Sequence, residues 1–190
     1  MNLIQVLKGW FPQIEFIAED LGYPSEDVVK LLKDSGFPGM KVLEFAFDHR
    51  DSSDYLPHMY ERNCICYAGT HDNDTLEGWH KEADSKDIAK AVSYLGLNDN
   101  EGFVWGILRG GMSSVANLFV AQMQDYLGLD SGARINTPGK VDGNWQWRMS
   151  GTQTDDMLAD RIYNMTFLYG RCEKRPAMET EKEDKTKGVL

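Results

Sequence analysis

The sequence predicts an α/β protein in which short strands alternate with helices around a parallel sheet. Three observations support this class. Apolar runs of strand length end at polar residues near positions 14–18, 41–47 and 65–69. Apolar side chains recur at helical spacing in later segments, as at 85–95. The hydrophobic share of 42% and the aromatic share of 11% are sufficient for a sizeable core.

The first predicted strand, at residues 14–18, is followed by a helix with signals at both ends. Ser25 can cap this helix, and Glu26 and Asp27 suit its positively polarised amino-terminal end. Gly36 can adopt the left-handed conformation that closes a helix.

Later segments predict two further helices and one ambiguous strand. Residues 85–95 place their apolar side chains on one helical face. Residues 101–108 predict a second helix that ends at Gly110 and Gly111. The apolar run at 118–121 fits a buried strand, although the pattern around it is ambiguous.

The last predicted helix covers residues 154–169 and is capped by Thr154. Beyond Arg171 the chain is rich in Glu and Lys and lacks apolar periodicity. We therefore predict a folded part at residues 1–171 and a disordered tail at 172–190.

Composition excludes several classes of function. The formal net charge of −10 argues against a surface for nucleic acids or anionic membranes, because phosphate binding requires clustered Lys and Arg. No apolar run approaches the roughly 20 residues of a membrane span, and no signal-peptide pattern begins the sequence. The cysteines, Cys64, Cys66 and Cys172, form no disulfide or metal-ligand pattern, so we expect a reducing cytoplasm.

Two carboxylates follow predicted strands. Glu19 and Asp72 are 53 residues apart, which leaves room for two βα units. Functional side chains of parallel α/β barrels lie at the carboxyl ends of the strands, so both residues are candidates. Burial of Glu19 beside Ile17 and Ala18 would favour the neutral form that a general acid requires. Alternatively, Glu19 is an ordinary acidic residue near the start of the next helix.

The segment at residues 69–75 concentrates polar side chains after a strand. His71, Asp72 and their neighbours suit a carbohydrate site, because sugar hydroxyls both donate and accept hydrogen bonds. A metal site that also uses Asp74 is a weaker alternative, since a calcium loop and further His ligands are absent. A polar turn that caps a helix is the other alternative.

A third candidate feature is the loop at residues 134–148. It contains the Pro138-Gly139 turn and two tryptophans, Trp145 and Trp147, separated by one residue. Flat aromatic faces stack on sugar rings, which suits a glucan surface, but the residues alone favour a packing role for both tryptophans.

Four ordered motifs together resemble the family of 4-alpha-glucanotransferases called amylomaltase or disproportionating enzyme. They are IAEDLG at 17–22, FPGMKVLEFAF at 37–47, YAGTHDNDT at 67–75, and NTPG at 136–139 with GNWQWR at 143–148. The resemblance implies the C-terminal part of a (β/α)₈ TIM barrel, incomplete in this chain. It also implies retaining chemistry on an α-1,4-glucan without a metal or organic cofactor.

The resemblance implies roles for particular residues. Glu19 matches the family's general acid/base, Asp72 the carboxylate that holds hydroxyls of the sugar at the cleavage point, and His71 its neighbour on the same sugar. Asn144 and Trp145 match a flexible loop over the substrate groove. Phe45 matches an aromatic position near the acceptor side.

The family's nucleophile is a different Asp, in an Arg-x-Asp-His setting that is not found before Glu19. We therefore expect this chain to be a fragment or one part of a split gene, inactive alone, with the N-terminal half of the barrel as its partner. The alternatives are a non-catalytic glucan-binding half-barrel and an α-glucan hydrolase.

Overall fold

The computed structural model describes residues 2–22, 25–50 and 53–175, which form an α/β fold. The three strands are β1 (Gly39–Val42), β2 (Cys64–Tyr67) and β3 (Leu118–Val120). The eight helices of these residues are α1 (Asn2–Trp10), α2 (Glu26–Ser35), α3 (Leu43–Ala46), α4 (Leu76–Glu82), α5 (Ser85–Leu95), α6 (Phe103–Met112), α7 (Met123–Tyr126) and α8 (Asp156–Leu168). Short 3₁₀ turns lie at Pro57–Met59 and Ser131–Ala133.

The strands form one parallel sheet in the order β1, β2, β3. Val42 pairs with Tyr67, and Tyr67 pairs with Val120, so the three strands end at the same level. The predicted class, helices alternating with parallel strands, is therefore confirmed. Closure of such a sheet into a barrel stays a prediction.

The two faces of the sheet have different surroundings. Cys64, Cys66 and Phe119 belong to the face that packs against the main hydrophobic core, which α4, α5 and α6 help to build. Tyr67 and Val120 lie on the opposite face and line a pocket. This alternation follows from the two-residue period of a strand.

Helix α6 does not end at Gly110 and Gly111, so that prediction was wrong. It continues to Met112 because the glycines permit close packing inside the core. A Cβ on Gly111 would collide with the ring of Phe119, and one on Gly110 would lie 2.8 Å from Leu95.

The predicted strand at residues 14–18 was also wrong. The described segment has no regular secondary structure, and its Ala18 amide donates to the carbonyl of Pro38, just before β1 (2.9 Å). Two residues further on, Asp20 Oδ1 accepts from the Met40 amide (2.6 Å). A side chain thus occupies the place of a strand's carbonyl, and no ladder forms.

Two other predictions are confirmed and two are wrong. Helix α5 spans the predicted residues, and Gly36 ends α2 with a φ of 68°. The predicted strand at 41–47 was wrong beyond Val42, because residues 43–46 form α3. The cap of α8 is Asp155 rather than Thr154, because the Asp155 carboxylate accepts from the Leu158 amide (2.8 Å).

No helix within the described ranges is long and apolar enough to cross a membrane. Cys64 and Cys66 are buried free thiols, and Cys172 is an exposed one. Most of the predicted tail at 172–190 lies outside the described residues.

Candidate active site

A pocket of about 440 Å³ opens at the carboxyl ends of the strands. Glu19, His71 and Asp72 all line it, and Tyr67 and Val120 lie on its sheet side. Two other cavities, of about 450 and 890 Å³, are lined by none of these three side chains. The two carboxylates singled out from the sequence therefore share one pocket.

Asp72 is held by the loop at residues 134–145. Its Oδ1 accepts from the Asn136 side-chain amide (2.5 Å), and its backbone carbonyl accepts from Arg134 Nη2 (2.5 Å). Arg134 also donates to the Asn136 carbonyl (2.7 Å), which ties both contacts together. The side chain of Asp72 is nevertheless half exposed, so its carboxylate remains accessible from the pocket.

His71 lies between Asp72 and an exposed indole. Its Nε2 is 3.3 Å from Asp72 Oδ1, and its ring centroid is 5.0 Å from that of Trp145. Trp145 is 56% exposed. Its φ of 62° places a bulky residue in the left-handed region, where such residues are rare. A hydrogen bond from the Trp145 amide to the Ile135 carbonyl (2.7 Å) secures this conformation.

Glu19 has a less defined environment than the sequence suggested. The predicted burial beside Ile17 was wrong, because Glu19 is exposed and Ile17 is 47% exposed. The segment lies on the outer side of β1, where no further strand of the described residues covers it. These residues alone do not supply the desolvation expected of a general acid.

Asn144, Trp145 and Phe45 are not among the residues that line the pocket. Asn144 Oδ1 accepts from the Thr137 amide (2.9 Å), and its Nδ2 donates to the Lys140 carbonyl (2.9 Å), so its polar groups hold its own loop. Phe45 is 41% exposed and packs edge-to-face on Tyr55, with the ring centroids 5.7 Å apart.

The family profile described as 4-alpha-glucanotransferase matches residues 1–154 of this chain. The chain belongs to the 4-alpha-glucanotransferase family. The resemblance carried by the four motifs is thereby confirmed.

Relatives in this family are similar over most of the chain. The 4-alpha-glucanotransferase of Clostridium butyricum is 49% identical over 174 residues, which is 91% of this chain and 36% of that protein. A chloroplastic/amyloplastic 4-alpha-glucanotransferase of Arabidopsis thaliana is 43% identical over 173 residues, 90% of this chain and 30% of that one. The chain thus spans about a third of the length of these relatives.

A solved structure of the family has the same fold in the matched region. Amylomaltase from Streptococcus agalactiae, in complex with acarbose, aligns with a TM-score of 0.85 at 36% identity. The alignment covers 90% of this chain and 35% of that one.

Sequence reasoning missed two kinds of residue in this member of the family. Arg134 and Asn136 were noted only as parts of a loop motif, yet both contact Asp72. Glu44 lay inside a quoted motif without a role. Its carboxylate accepts from the Asn73 side chain (3.0 Å) beneath the pocket loop. The sequence feature that could have identified these three residues is a polar side chain inside an otherwise apolar or turn-like motif.

Buried carboxyls lie behind the pocket loop. Burial raises the pKa of Glu44 well above its usual value, and the nearby Asp125 and Asp74 act in the same direction. Burial likewise raises the pKa of Asp125 to about 6, although the Leu76 amide donates to it (2.8 Å) and opposes the rise. These groups therefore favour their neutral forms more than exposed carboxyls do.

The alternative of a metal site at His71, Asp72 and Asp74 finds no support. Asp74 turns away from the pocket, because its Oδ2 accepts from Ser131 Oγ (2.8 Å) and its Oδ1 from the Thr75 amide (2.7 Å). The one group of three clustered potential ligands in the described chain lies elsewhere, at Asp48, His49 and Asp87. There, Arg50 already pairs with the Asp48 carboxylate.

Proposed function

We propose that this chain supplies the acid/base and sugar-holding side of a 4-alpha-glucanotransferase active site. The observation that carries the proposal is the pocket lined by both Glu19 and Asp72 at the carboxyl ends of a parallel sheet. The proposed substrate is an α-1,4-glucan. The acarbose complex of the Streptococcus agalactiae amylomaltase supports this choice, because acarbose resembles an oligosaccharide.

The reaction in the whole enzyme would be a double displacement that retains anomeric configuration. Glu19 gives its proton to the glycosidic oxygen as the bond to the anomeric carbon breaks. An aspartate nucleophile attacks that carbon and forms a covalent glucosyl-enzyme. Glu19, now ionised, takes the proton from the 4-hydroxyl of an acceptor glucan, whose oxygen displaces the nucleophile. Water in place of the acceptor gives hydrolysis.

Asp72 and its neighbours would hold the sugar at the cleavage point. The contact with Asn136 fixes Asp72 while its carboxylate stays half exposed, so it can accept from sugar hydroxyls. The indole of Trp145 beside His71 offers an apolar face for a neighbouring ring. Asn144 would act through the shape of its loop, and Phe45 would contribute at the acceptor side.

The nucleophile would come from the part of the enzyme that this chain does not include. No Arg-x-Asp-His sequence occurs in its 190 residues. The chain spans about a third of its relatives, and β1 and β3 have open edges in the described sheet. We therefore propose that residues 1–171 complete a (β/α)₈ barrel with the N-terminal half as partner, without a metal or organic cofactor. We also propose a cytoplasmic location, because free thiols such as those of the three cysteines are typical of a reducing compartment.

The test compares the 190-residue chain with the same chain mixed with the N-terminal half of a family member. The chain alone should leave maltotriose unchanged, and the mixture should form glucose and longer glucans. Asp72→Asn should lower the affinity for maltoheptaose by roughly 10- to 100-fold, the worth of hydrogen bonds to a charged group. Asp99→Asn, at an exposed position remote from the pocket, is the matched control. Disproportionation by the chain alone would refute the need for an outside nucleophile.

Glucan binding without turnover is the second candidate, favoured by the missing nucleophile motif. Under this alternative the chain binds maltoheptaose, Glu19→Gln leaves binding intact, and no mixture produces longer glucans. An α-glucan hydrolase would instead give only shorter products.

A further inference from the structure

Glu44 is a shielded carboxyl that the proposed reaction leaves unused. It lies in α3, directly after β1, and its backbone amide donates to the Ala68 carbonyl at the end of β2 (3.3 Å). Its Oε1 is removed from solvent and has no hydrogen-bond partner among the described residues. A carboxyl in such surroundings is unfavourable for stability, which suggests a functional reason for its presence.

The other oxygen of Glu44 begins a chain of hydrogen bonds that leads to the pocket. Oε2 accepts from Asn73 Nδ2 (3.0 Å). Asn73 Oδ1 accepts from both the amide (2.9 Å) and the hydroxyl (2.8 Å) of Thr70. The same hydroxyl accepts from the Asp72 amide (3.3 Å). His71 lies between the two ends of this last contact.

Each group in this series of hydrogen bonds has one role. Because two donors of Thr70 face Asn73 Oδ1, the amide group of Asn73 must turn its nitrogen toward Glu44. Gly69 allows the carboxyl to come this close, since a Cβ there would lie 2.7 Å from Glu44 Oε1. The loop after β2 is therefore shaped around the Glu44 side chain.

We propose that Glu44 is a positioning residue, which acts through Asn73 and Thr70 to fix the peptide that carries His71 and Asp72. This inference deepens the proposed function. The expected effect of Glu44 on glucan binding rests on that function, whereas the expected effect on the order of the loop is independent of it.

The charges around Glu44 come from three elements. Asp74 lies on the same loop as Asn73, Asp125 lies on α7, and Arg134 follows the 3₁₀ turn at Ser131–Ala133. The two aspartates favour the neutral carboxyl, whereas Arg134 and the Asn73 amide favour the ionised form. Gln reproduces the neutral carboxyl and keeps an acceptor for Asn73, whereas Leu keeps the approximate size without an acceptor.

The test measures amide hydrogen exchange at Thr70 by NMR in the 190-residue chain. Glu44→Leu should accelerate this exchange about tenfold, the equivalent of one lost hydrogen bond, while Glu44→Gln stays close to the parent chain. Val104→Ala, in the buried face of α6 and outside this hydrogen-bond chain, controls for a general loss of stability. Equal acceleration in the Leu and Val104 variants, or failure of Gln to preserve protection, would overturn the proposal.

A second measurement covers the case in which Glu44→Leu does not fold. In the unmodified chain, the Thr70 amide and the Asn73 side-chain amide should shift with pH at the same midpoint as the Glu44 carboxyl carbon. If the amides of Thr70 and Asn73 shifted at a pH midpoint different from that of the Glu44 carboxyl carbon, the proposed series of hydrogen bonds would be contradicted.

Maltoheptaose titration then separates this proposal from the function. Glu44→Leu should bind more weakly and Glu44→Gln like the parent chain. If the parent chain binds no maltoheptaose, the proposed function loses support, and the exchange data alone decide the role of Glu44.

Discussion

The two segments that bring carboxylates to the pocket differ in how firmly they are held. The loop at residues 69–75 is bonded to α3, to the segment that follows β3 and to the 134–145 loop. The segment at 14–22, which carries Glu19, bonds to Pro38 through Ala18 and to β1 through Asp20, and is otherwise largely exposed. The loop that carries His71 and Asp72 is therefore well supported by its neighbours, whereas the segment that carries Glu19 has few supporting contacts among the described residues.

The difference follows from sheet position. The 69–75 loop leaves β2, the central strand, so neighbouring elements on both sides can bond to it. The 14–22 segment runs along the open edge of β1. An edge segment lacks one set of partners, which reduces both its burial and its order.

The largest expected effect is a loss of unfolding free energy when an aromatic side chain that packs near each of the two segments is truncated. Phe47 is fully buried between Trp79 and Tyr94, so Phe47→Ala should cost about 3–5 kcal/mol of unfolding free energy. Phe16 is partly exposed and packs on Phe37, with centroids 5.2 Å apart, so Phe16→Ala should cost far less. Urea unfolding of both variants measures the contrast, and equal losses would contradict the comparison.

The next effect concerns Asp125, whose carboxylate accepts from the Leu76 amide where the loop enters α4. Its pKa is raised from 3.8 to about 6, so the folded state binds the proton more tightly than the unfolded state. Stability from this group is therefore present below pH 4 and is lost as the pH rises through 6. The loss is roughly 2–3 kcal/mol, at about 1.36 kcal/mol per pH unit between the two values.

Asp125→Asn should remove this dependence while retaining an acceptor for the Leu76 amide. Urea unfolding at pH 4 and pH 7 would measure the difference between the parent chain and the variant. If the parent chain gained stability from pH 4 to pH 7 relative to the variant, the sign would be opposite and this account would be excluded.

The smallest effect is at the end of the loop, where Thr75 caps α4. Its hydroxyl oxygen accepts from the Gly78 amide (3.1 Å), and the residue is fully buried. Thr75→Ala should cost about 1–2 kcal/mol, whereas Thr75→Ser keeps the cap and should cost less. Thermal unfolding of the pair would separate the cap from the lost methyl group; identical losses would assign the effect to packing.

Much of the fold was predictable because its signals are local. The capping and apolar spacing of α5 and the glycine after α2 depend on neighbouring residues. The predicted strand at 14–18 does not form, and the sequence could not show this, because an apolar run does not reveal whether its edge finds a partner. Gly110 and Gly111 were mistaken for a helix end because their purpose, close packing on Leu95 and Phe119, is a tertiary contact.

The candidate site was predictable in its motif residues and not in their supports. His71 and Asp72 lie in the pocket because they follow β2 of the parallel sheet, and Glu19 joins them from a segment that contacts Pro38 and β1. The contact between Glu44 and Asn73 joins residues 29 positions apart, and that between Asp72 and Asn136 joins residues 64 apart. Neither spacing has a periodic signature.

The backbone at Trp145 has a consequence for how this position tolerates change. A non-glycine residue with φ of 62° costs of order 1–3 kcal/mol, and only glycine relieves that cost fully. Glycine would also delete the indole that lies beside His71. The backbone strain and the aromatic contact with His71 therefore favour different residues at this position: glycine for stability, and tryptophan for the ring.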